Sequence, residues 1–295
     1  MYQPIKKLVG RPDYLWVSGE GRVEGWDIAM FVIPKHKRVV YEAHIKGLTK
    51  LHPDVPKEHR GKFIGAAHPS VIKHLKALGI TTVQFMPLCS FMPEPFITEK
   101  GLTNYWGYNP VNFFAPEPRY GVLDALAELK SMVDAYHTAG LEVIVDVVFN
   151  HTAEAGNGGP ILSYKGFCPY QAYLLEQTKN GELVYSNHSG CGNTVNTAQP
   201  FMMGLILDAM RHWVSVIGVG GFRCLAGPVE RDDLFPTLRR VQAEIVPADP
   251  GRTRLNDALH RTGRNGRIHR ISAGQQDTDR RLGRQRVRRG RHGIG

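Results

Sequence analysis

The sequence predicts an α/β protein: about four β/α units, the first half of a (β/α)8 barrel, followed by an irregular arginine-rich tail. Three observations predict it. Strand-length and helix-length apolar segments alternate through residues 38–227. Each helix returns to the next strand within about two or three residues, whereas the strands lead to their helices through about 20, 35 and 50 residues in turn. Beyond Pro250 the composition changes abruptly. Long insertions confined to the strand-to-helix side are what a barrel carries on its active face. A doubly wound sheet also places its site at the strand C-termini, but it calls for a phosphate-binding glycine loop, and no G-x-G-x-x-G follows the first strand.

Taken in order, residues 1–37 hold Trp16, Trp26 and scattered charges, and are expected to be a lead-in segment outside the alternating pattern. Residues 39–45 read as the first strand. Residues 69–78 read as a helix, with proline in its first turn and Gly79 closing it. Residues 83–88 form the second strand. Asp124 caps a helix whose apolar stripe is Leu126, Leu129, Val133 and Tyr136, and Gly140 ends it. Residues 143–149 are apolar almost throughout, as expected of a strand covered on both faces. A long helix is expected over 200–217, with Met202, Ile206, Ala209, Trp213 and Val216 at helical spacing and Gly218 as its stop. Gly221–Leu225 is the fourth strand. Residues 228–249 still carry Leu234, Leu238 and Val241 at helical spacing.

The net charge of +10 comes entirely from the tail. Residues 251–295 contain 13 Arg, 3 Asp and no Lys or Glu, and the remaining chain balances 24 basic against 24 acidic side chains. The tail also lacks Phe, Tyr, Trp, Pro, Met and Cys. So few apolar groups among so many like charges predict disorder for 228–295. Arginine alone, without interleaved aromatic platforms, does not make a nucleic-acid-binding surface, so nucleic acid is not expected as a partner. No apolar run approaches 18 residues, which argues against a membrane span. The start of the chain lacks the apolar core of a secretory signal. Cys89, Cys168, Cys191 and Cys224 are widely spaced, so neither a metal site nor a disulfide framework is expected, and reduced thiols in the cytoplasm are. No cofactor is called for.

Four segments carry a family resemblance. They are Tyr41-Glu42-Ala43-His44-Ile45-Lys46-Gly47-Leu48-Thr49, Asn104-Tyr105-Trp106-Gly107-Tyr108-Asn109-Pro110, Asp146-Val147-Val148-Phe149-Asn150-His151-Thr152 and Gly190-Cys191-Gly192-Asn193-Thr194-Val195-Asn196. In this order and spacing they resemble blocks of the α-amylase superfamily, in particular its isoamylase-like glycogen debranching enzymes. The resemblance covers about residues 38–226. It implies a glycoside hydrolase acting on α-1,6 branch points, with α-glucan (glycogen, limit dextrin, maltooligosaccharide) as partner. It further implies that Tyr108 stacks on the glucose beside the scissile bond and that His151 hydrogen-bonds that glucose. Asp146 would pair with Arg223, which orients the nucleophile, and Asn150 would support the site. The residue types suit the task, because sugar rings have apolar faces and hydroxyl rims. Trp106 fits core packing and sugar contact equally well. Glu42 and His44 read as structural.

The pattern breaks at the fourth strand. Retaining glycosidases need two carboxylates about 5–5.5 Å apart. The family block G-V-D-G-F-R-F-D-L-A here reads Gly218-Val219-Gly220-Gly221-Phe222-Arg223-Cys224-Leu225-Ala226. Gly220 replaces the first Asp, and Cys224 stands for the Phe-Asp pair that holds the nucleophile. No A-E-P-W-like or H-D block follows; Ala243-Glu244-Ile245-Val246 lacks the tryptophan. The chain therefore offers no catalytic carboxylates and is expected to be inactive, a truncated or frame-shifted product of a longer enzyme. A GC-rich gene read out of frame produces this arginine bias. The expected outcome of sequencing the DNA is that another frame, opening between the codons for Gly220 and Arg252, encodes an A-E-P-W-like segment and an H-D block. If both alternative frames lack them, the frame-shift account is wrong.

Overall fold

The structure, a computed structural model, describes residues 5–8, 11–17, 33, 35–225 and 270–272. Two short strands open it, β1 (Ile5–Leu8) and β2 (Arg11–Val17). The alternating part begins with β3 (Val40–Ala43), followed by α1 (Ile45–Thr49), α2 (Phe63–Ala66) and α3 (Pro69–Ala77). Then come β4 (Thr82–Phe85), α4 (Pro95–Thr98), α5 (Ala125–Thr138) and β5 (Glu142–Val148). A long excursion holds α6 (Tyr164–Phe167), α7 (Pro169–Ala172) and the hairpin β6 (Leu175–Gln177) and β7 (Leu183–Tyr185). The helix α8 (Pro200–His212) returns the chain to β8 (Gly221–Leu225), and β9 is Arg270–Ser272.

The strand order is β1-β2-β8-β5-β4-β3-β9. Its centre, β8-β5-β4-β3, is parallel, with Val40 beside Thr82, Thr82 beside Glu142 and Ile144 beside Gly221. The helices α3, α5 and α8 make the crossovers, so these are three successive β/α units and the strand of a fourth. β2 lies antiparallel against β8 and β9 parallel against β3. Thus the strands of 1–37 form a hairpin rather than a further β/α unit, and three residues of 228–295 run as a strand. The helical spacing of Leu234, Leu238 and Val241 lies outside the described residues.

Every residue of β5 is buried, as its nearly continuous apolar run predicts for a strand covered on both faces. Val83, Phe85, Val143, Val145 and Phe222 are at most 1% exposed and pack with Leu75, Leu129, Tyr136, Ile206 and Trp213 of the helices. The Phe85 and Tyr136 rings meet edge to face at 5.6 Å. Asp124 caps α5 by accepting from the Leu126 and Ala127 amides, as its position predicts.

Three boundaries differ from the sequence reading, each for a local reason. β3 ends at Ala43 because the next residue, His44, caps α1, its Nδ1 accepting from the Lys46 and Gly47 amides at 3.1 Å. β4 stops at Phe85, and Pro87 has no N–H with which to continue the ladder. The helix expected over 200–217 is α-helical only to His212, and Trp213–Ile217 is a π turn. There the Ser215 hydroxyl donates to the Arg211 carbonyl at 2.5 Å and the Trp213 indole N–H to the Phe113 carbonyl at 2.8 Å. Both bonds draw the last turn away from regular geometry. Gly218, at φ 91, accepts the left-handed stop.

A buried clamp ties the N-terminal ends of the strands. Arg38, just ahead of β3, donates two bonds of 3.2 Å to Glu142 at the start of β5, and Thr82 of β4 donates a third at 2.8 Å. Burial pushes the Glu142 carboxyl up to about 7, outweighing the downward pull of Arg38 and Thr82. Its folded-state value is thus above its unfolded one. The stability tied to its proton is present below the ordinary carboxylate range and is lost as pH rises through about 7. Denaturation midpoints measured from pH 4.5 to pH 7 are therefore expected to fall more steeply for the wild type than for Glu142→Gln. Parallel profiles would show that Glu142 does not titrate in this window.

Candidate functional site

At the opposite, C-terminal ends of the strands, one polar side chain per strand makes a row across the sheet: Glu42 on β3, Gln84 on β4, Asp146 on β5 and Arg223 on β8. The ladder sets it, pairing Glu42 with Gln84 and Asp146 with Arg223. Gln84 Nε2 donates to Glu42 Oε1 at 3.1 Å and to Asp146 Oδ1 at 2.7 Å. Arg223 donates to Asp146 Oδ2 at 3.1 Å, and the Tyr108 hydroxyl donates to the same oxygen at 2.5 Å. Asp146 is 1% exposed, and these three donors are what make a buried carboxylate tolerable there. Burial raises its carboxyl to about 6, with Arg223 and then Tyr108 holding it down and Glu42 pushing it up. The Tyr108 hydroxyl is raised in turn, by burial and by Asp146.

A tight turn delivers Tyr108. Asn104 Oδ1 accepts from the Gly107 amide at 2.9 Å, while its amide nitrogen donates to Glu94. Gly107 sits at φ 85, and a Cβ there would lie 3.2 Å from the Pro87 carbonyl oxygen and 3.3 Å from the Phe91 ring. Only glycine brings the loop this close. Tyr105 is spent on packing: its ring stacks on His44 at 4.1 Å and its carbonyl accepts from His44 Nε2 at 2.6 Å. Trp106 touches Tyr105 edge-on and stays 56% exposed.

His151 and Asn150 follow β5 and are buried. His151 Nε2 meets the Tyr108 carbonyl at 2.8 Å, and Nδ1 lies 2.7 Å from the atom placed as Asn150 Oδ1. Burial lowers the His151 pKa, favouring a neutral ring. The Tyr108 carbonyl can only accept, so the proton sits on Nε2. Nδ1 then accepts, which requires the Asn150 amide to turn its NH2 group inward.

Tyr108, Asp146 and Arg223 thus converge directly, and Asn150 and His151 join them through the Tyr108 backbone. Gln84 was not singled out from the sequence, although a lone amide between Val83 and Phe85 in an apolar strand is the same signal that marks Asp146. Glu42, read as merely structural, is the end of the row. Of the two departures in the fourth strand, Gly220 lies at the N-terminal end, where a Cβ would meet Glu142 Cγ at 3.0 Å. The departure at Cys224 is at the crevice end, where β8 supplies one cation and no carboxylate. Among the described residues no cluster of His, Cys, Asp or Glu could hold a metal ion.

Parallel strands joined through helices, with a buried carboxylate–arginine pair under an aromatic loop at their C-terminal ends, define part of a β/α barrel with a polar crevice at its C-terminal face. Residues 55–158 match the family described as alpha amylase, catalytic domain, so this part of the chain is similar to the α-amylase superfamily. It is 45% identical over 201 residues to a glycogen debranching enzyme of Yersinia enterocolitica, covering 67% of this chain and 30% of that enzyme. It is 43% identical over 224 residues to the glycogen operon protein GlgX homolog of Mycobacterium bovis, covering 74% and 30%. It therefore spans about 30% of the length of these curated relatives. Among solved structures it resembles a pullulanase from Anoxybacillus sp. complexed with maltotriose (TM-score 0.59, 27% identity, 74% of this chain and 32% of that one). It also resembles the Paenibacillus barengoltzii pullulanase with maltohexaose and alpha-cyclodextrin (TM-score 0.54, 27% identity, 66% and 31%).

The row makes a direct electrostatic prediction. In a carbon-detected titration Asp146 is expected to have its midpoint near 6, well above an ordinary aspartate. Arg223→Met should move it higher and Tyr108→Phe should move it up by less, because the arginine charge is the larger downward influence. A midpoint unmoved by Arg223→Met would mean that the pair does not form.

Proposed function

We propose that this chain carries the first half of the catalytic barrel of a debranching glycoside hydrolase, one built to act on α-1,6 branch points of glycogen or limit dextrin. The observation that carries the reading is the row at the strand C-termini, where segments distant in sequence meet at one crevice through Asp146. The relatives' names and the pullulanases' bound maltooligosaccharides support an α-glucan as ligand. In this reading Tyr108 offers its ring face to the first glucose, while His151 and Arg223 present donors to its hydroxyls. Asp146 and Asn150 hold those three in place. Bound sugar takes over the Nε2 proton that His151 now gives to the Tyr108 carbonyl.

The same geometry favours a second reading for the chain as it stands, a glucan-binding module without catalysis. Hydrolysis with retention needs a nucleophile and an acid/base, and β8 runs Arg223-Cys224-Leu225 where the nucleophile belongs. The lost carboxylates act as a unit, so no partial activity is expected. Cys89, Cys168 and Cys191 are not in disulfides, which fits a cytoplasmic enzyme. Among the described residues no helix is long and apolar enough to cross a membrane.

Reducing ends released from limit dextrin and maltotriose binding by calorimetry test both readings together. The expected outcome is no release above the buffer blank, but measurable binding that Tyr108→Ala weakens about fivefold or more through loss of the ring contact. Hydrolysis would reveal a carboxylate pair other than the one sought in β8. Absence of binding would sink the glucan reading of the crevice.

A further inference from the structure

The short segment that ends β5 is gripped by residues distant in sequence. Asn193 is fully buried. Its Oδ1 accepts from the Thr152 amide at 3.0 Å, and its Nδ2 donates to the Thr152 carbonyl at 2.9 Å and the Ala155 carbonyl at 3.0 Å. One side chain thereby satisfies both backbone groups of Thr152, as a neighbouring strand would. Two residues on, the Val195 amide donates to the Asn150 carbonyl at 3.0 Å. The peptide units on both sides of His151 are therefore held by 193–195. The close approach has a steric condition: Gly192 sits at φ 95, and a Cβ there would lie 2.5 Å from the Gly156 nitrogen. Behind the clamp the Thr152 hydroxyl meets Tyr173 Oη at 2.7 Å, and that hydroxyl donates to Glu154. Glu154 gathers the Leu162, Ser163 and Lys165 amides, so the 154–165 loop is anchored to the same point.

We propose that Asn193 is a positioning residue for the crevice: it fixes the backbone just after His151, while the Val195 amide holds the Asn150 carbonyl just before it, and so sets the ring orientation that carries the Nε2 proton toward Tyr108 and, on the glucan reading of the preceding section, toward sugar. It touches neither the ring nor the ligand. Without the amide, the Thr152 N–H is buried with no partner and its C=O keeps only the Ala155 amide at 3.3 Å, and the 150–152 turn relaxes to find others. His151 then loses its single orientation, while β5 itself, paired on both edges, remains.

The test uses the full chain with two readouts. The first is the His151 ring signal in long-range proton–nitrogen NMR, assigned by its loss in His151→Gln; the second is maltotriose affinity. The wild type should show one neutral Nε2–H tautomer. Asn193→Ala should average that signal and weaken maltotriose binding about tenfold or more, the cost of one or two unsatisfied buried groups. Thr194→Val is the control for general loosening, because its hydroxyl serves only the 186–194 turn; it should leave both readouts within about twofold of wild type. Should Asn193→Ala fail to fold, Asn193→Asp retains shape and acceptor but turns a carboxylate toward two carbonyl oxygens. Its ring signal should be averaged at pH 8 and return toward wild type on acidification, when the protonated carboxyl can donate again. The proposal is overturned if Asn193→Ala leaves the ring signal unchanged, if Asn193→Asp matches wild type at every pH, or if Thr194→Val reproduces the losses. A wild type that does not bind maltotriose would discard the glucan reading alone, because the ring signal still decides whether Asn193 positions His151.

Discussion

A single carboxylate in an apolar strand organises this molecule. Asp146 lies where neither water nor a mobile side chain can compensate its charge, so its three donors must arrive in fixed positions. One comes from each neighbouring strand and one from a loop. Each brings a requirement with it: a parallel register that sets Arg223 level with the carboxylate and Gln84 beside Ile144, two residues back on the same face, and a left-handed glycine that lets Tyr108 descend on it. The sheet and the crevice are therefore not separable, because the bonds that neutralise Asp146 also fix the relative height of the strands.

The two ends of the sheet use buried charge differently. At the N-terminal end Glu142 meets Arg38 and Thr82 in a closed, fully occupied cluster, with Gly220 leaving room beside it. At the C-terminal end the row ends under a loop with exposed aromatic surface on Trp106. The first arrangement has nothing left to offer a ligand. The second places donors whose present partners are themselves exchangeable, which is what a polar binding crevice requires.

Much of this was legible in the sequence because it rests on short-range rules. Asp124, Gly140 and Gly218 mark helix ends by capping chemistry alone, and a nearly continuous apolar run marks β5 as doubly covered. Asp146 announces itself as the one charge in that run, and its arginine partner follows from the family resemblance. What stayed hidden depends on contacts across the chain. The π turn at Trp213–Ile217 follows in part from where the Phe113 carbonyl lies, 100 residues away in sequence. Gln84 stands out in its strand as a lone amide, but its partners, Glu42 and Asp146, are set only by the assembled sheet. Asn193 sits in a segment whose likeness is visible but whose partner, the backbone of Thr152, leaves no side-chain pattern to read. His44 looked like a strand residue because capping by a histidine side chain is outside the usual Ser, Thr, Asp and Asn signal.

The alternation of β8 has a consequence for how such a chain can change. In a strand, successive residues face opposite sides, so side chains two apart share a face. Relative to the family block, one residue is absent between Arg223 and the Leu-Ala that follows. An odd deletion inverts the parity of everything downstream while leaving the upstream half in register. Arg223 keeps its place opposite Asp146, so the fold retains its neutralising bond. A carboxylate restored further along would regain the crevice only at a position an even number of residues from Arg223. Substitution at a single site can thus be reversed by a single substitution, whereas a lost residue in a strand also changes which side of the sheet each later residue addresses.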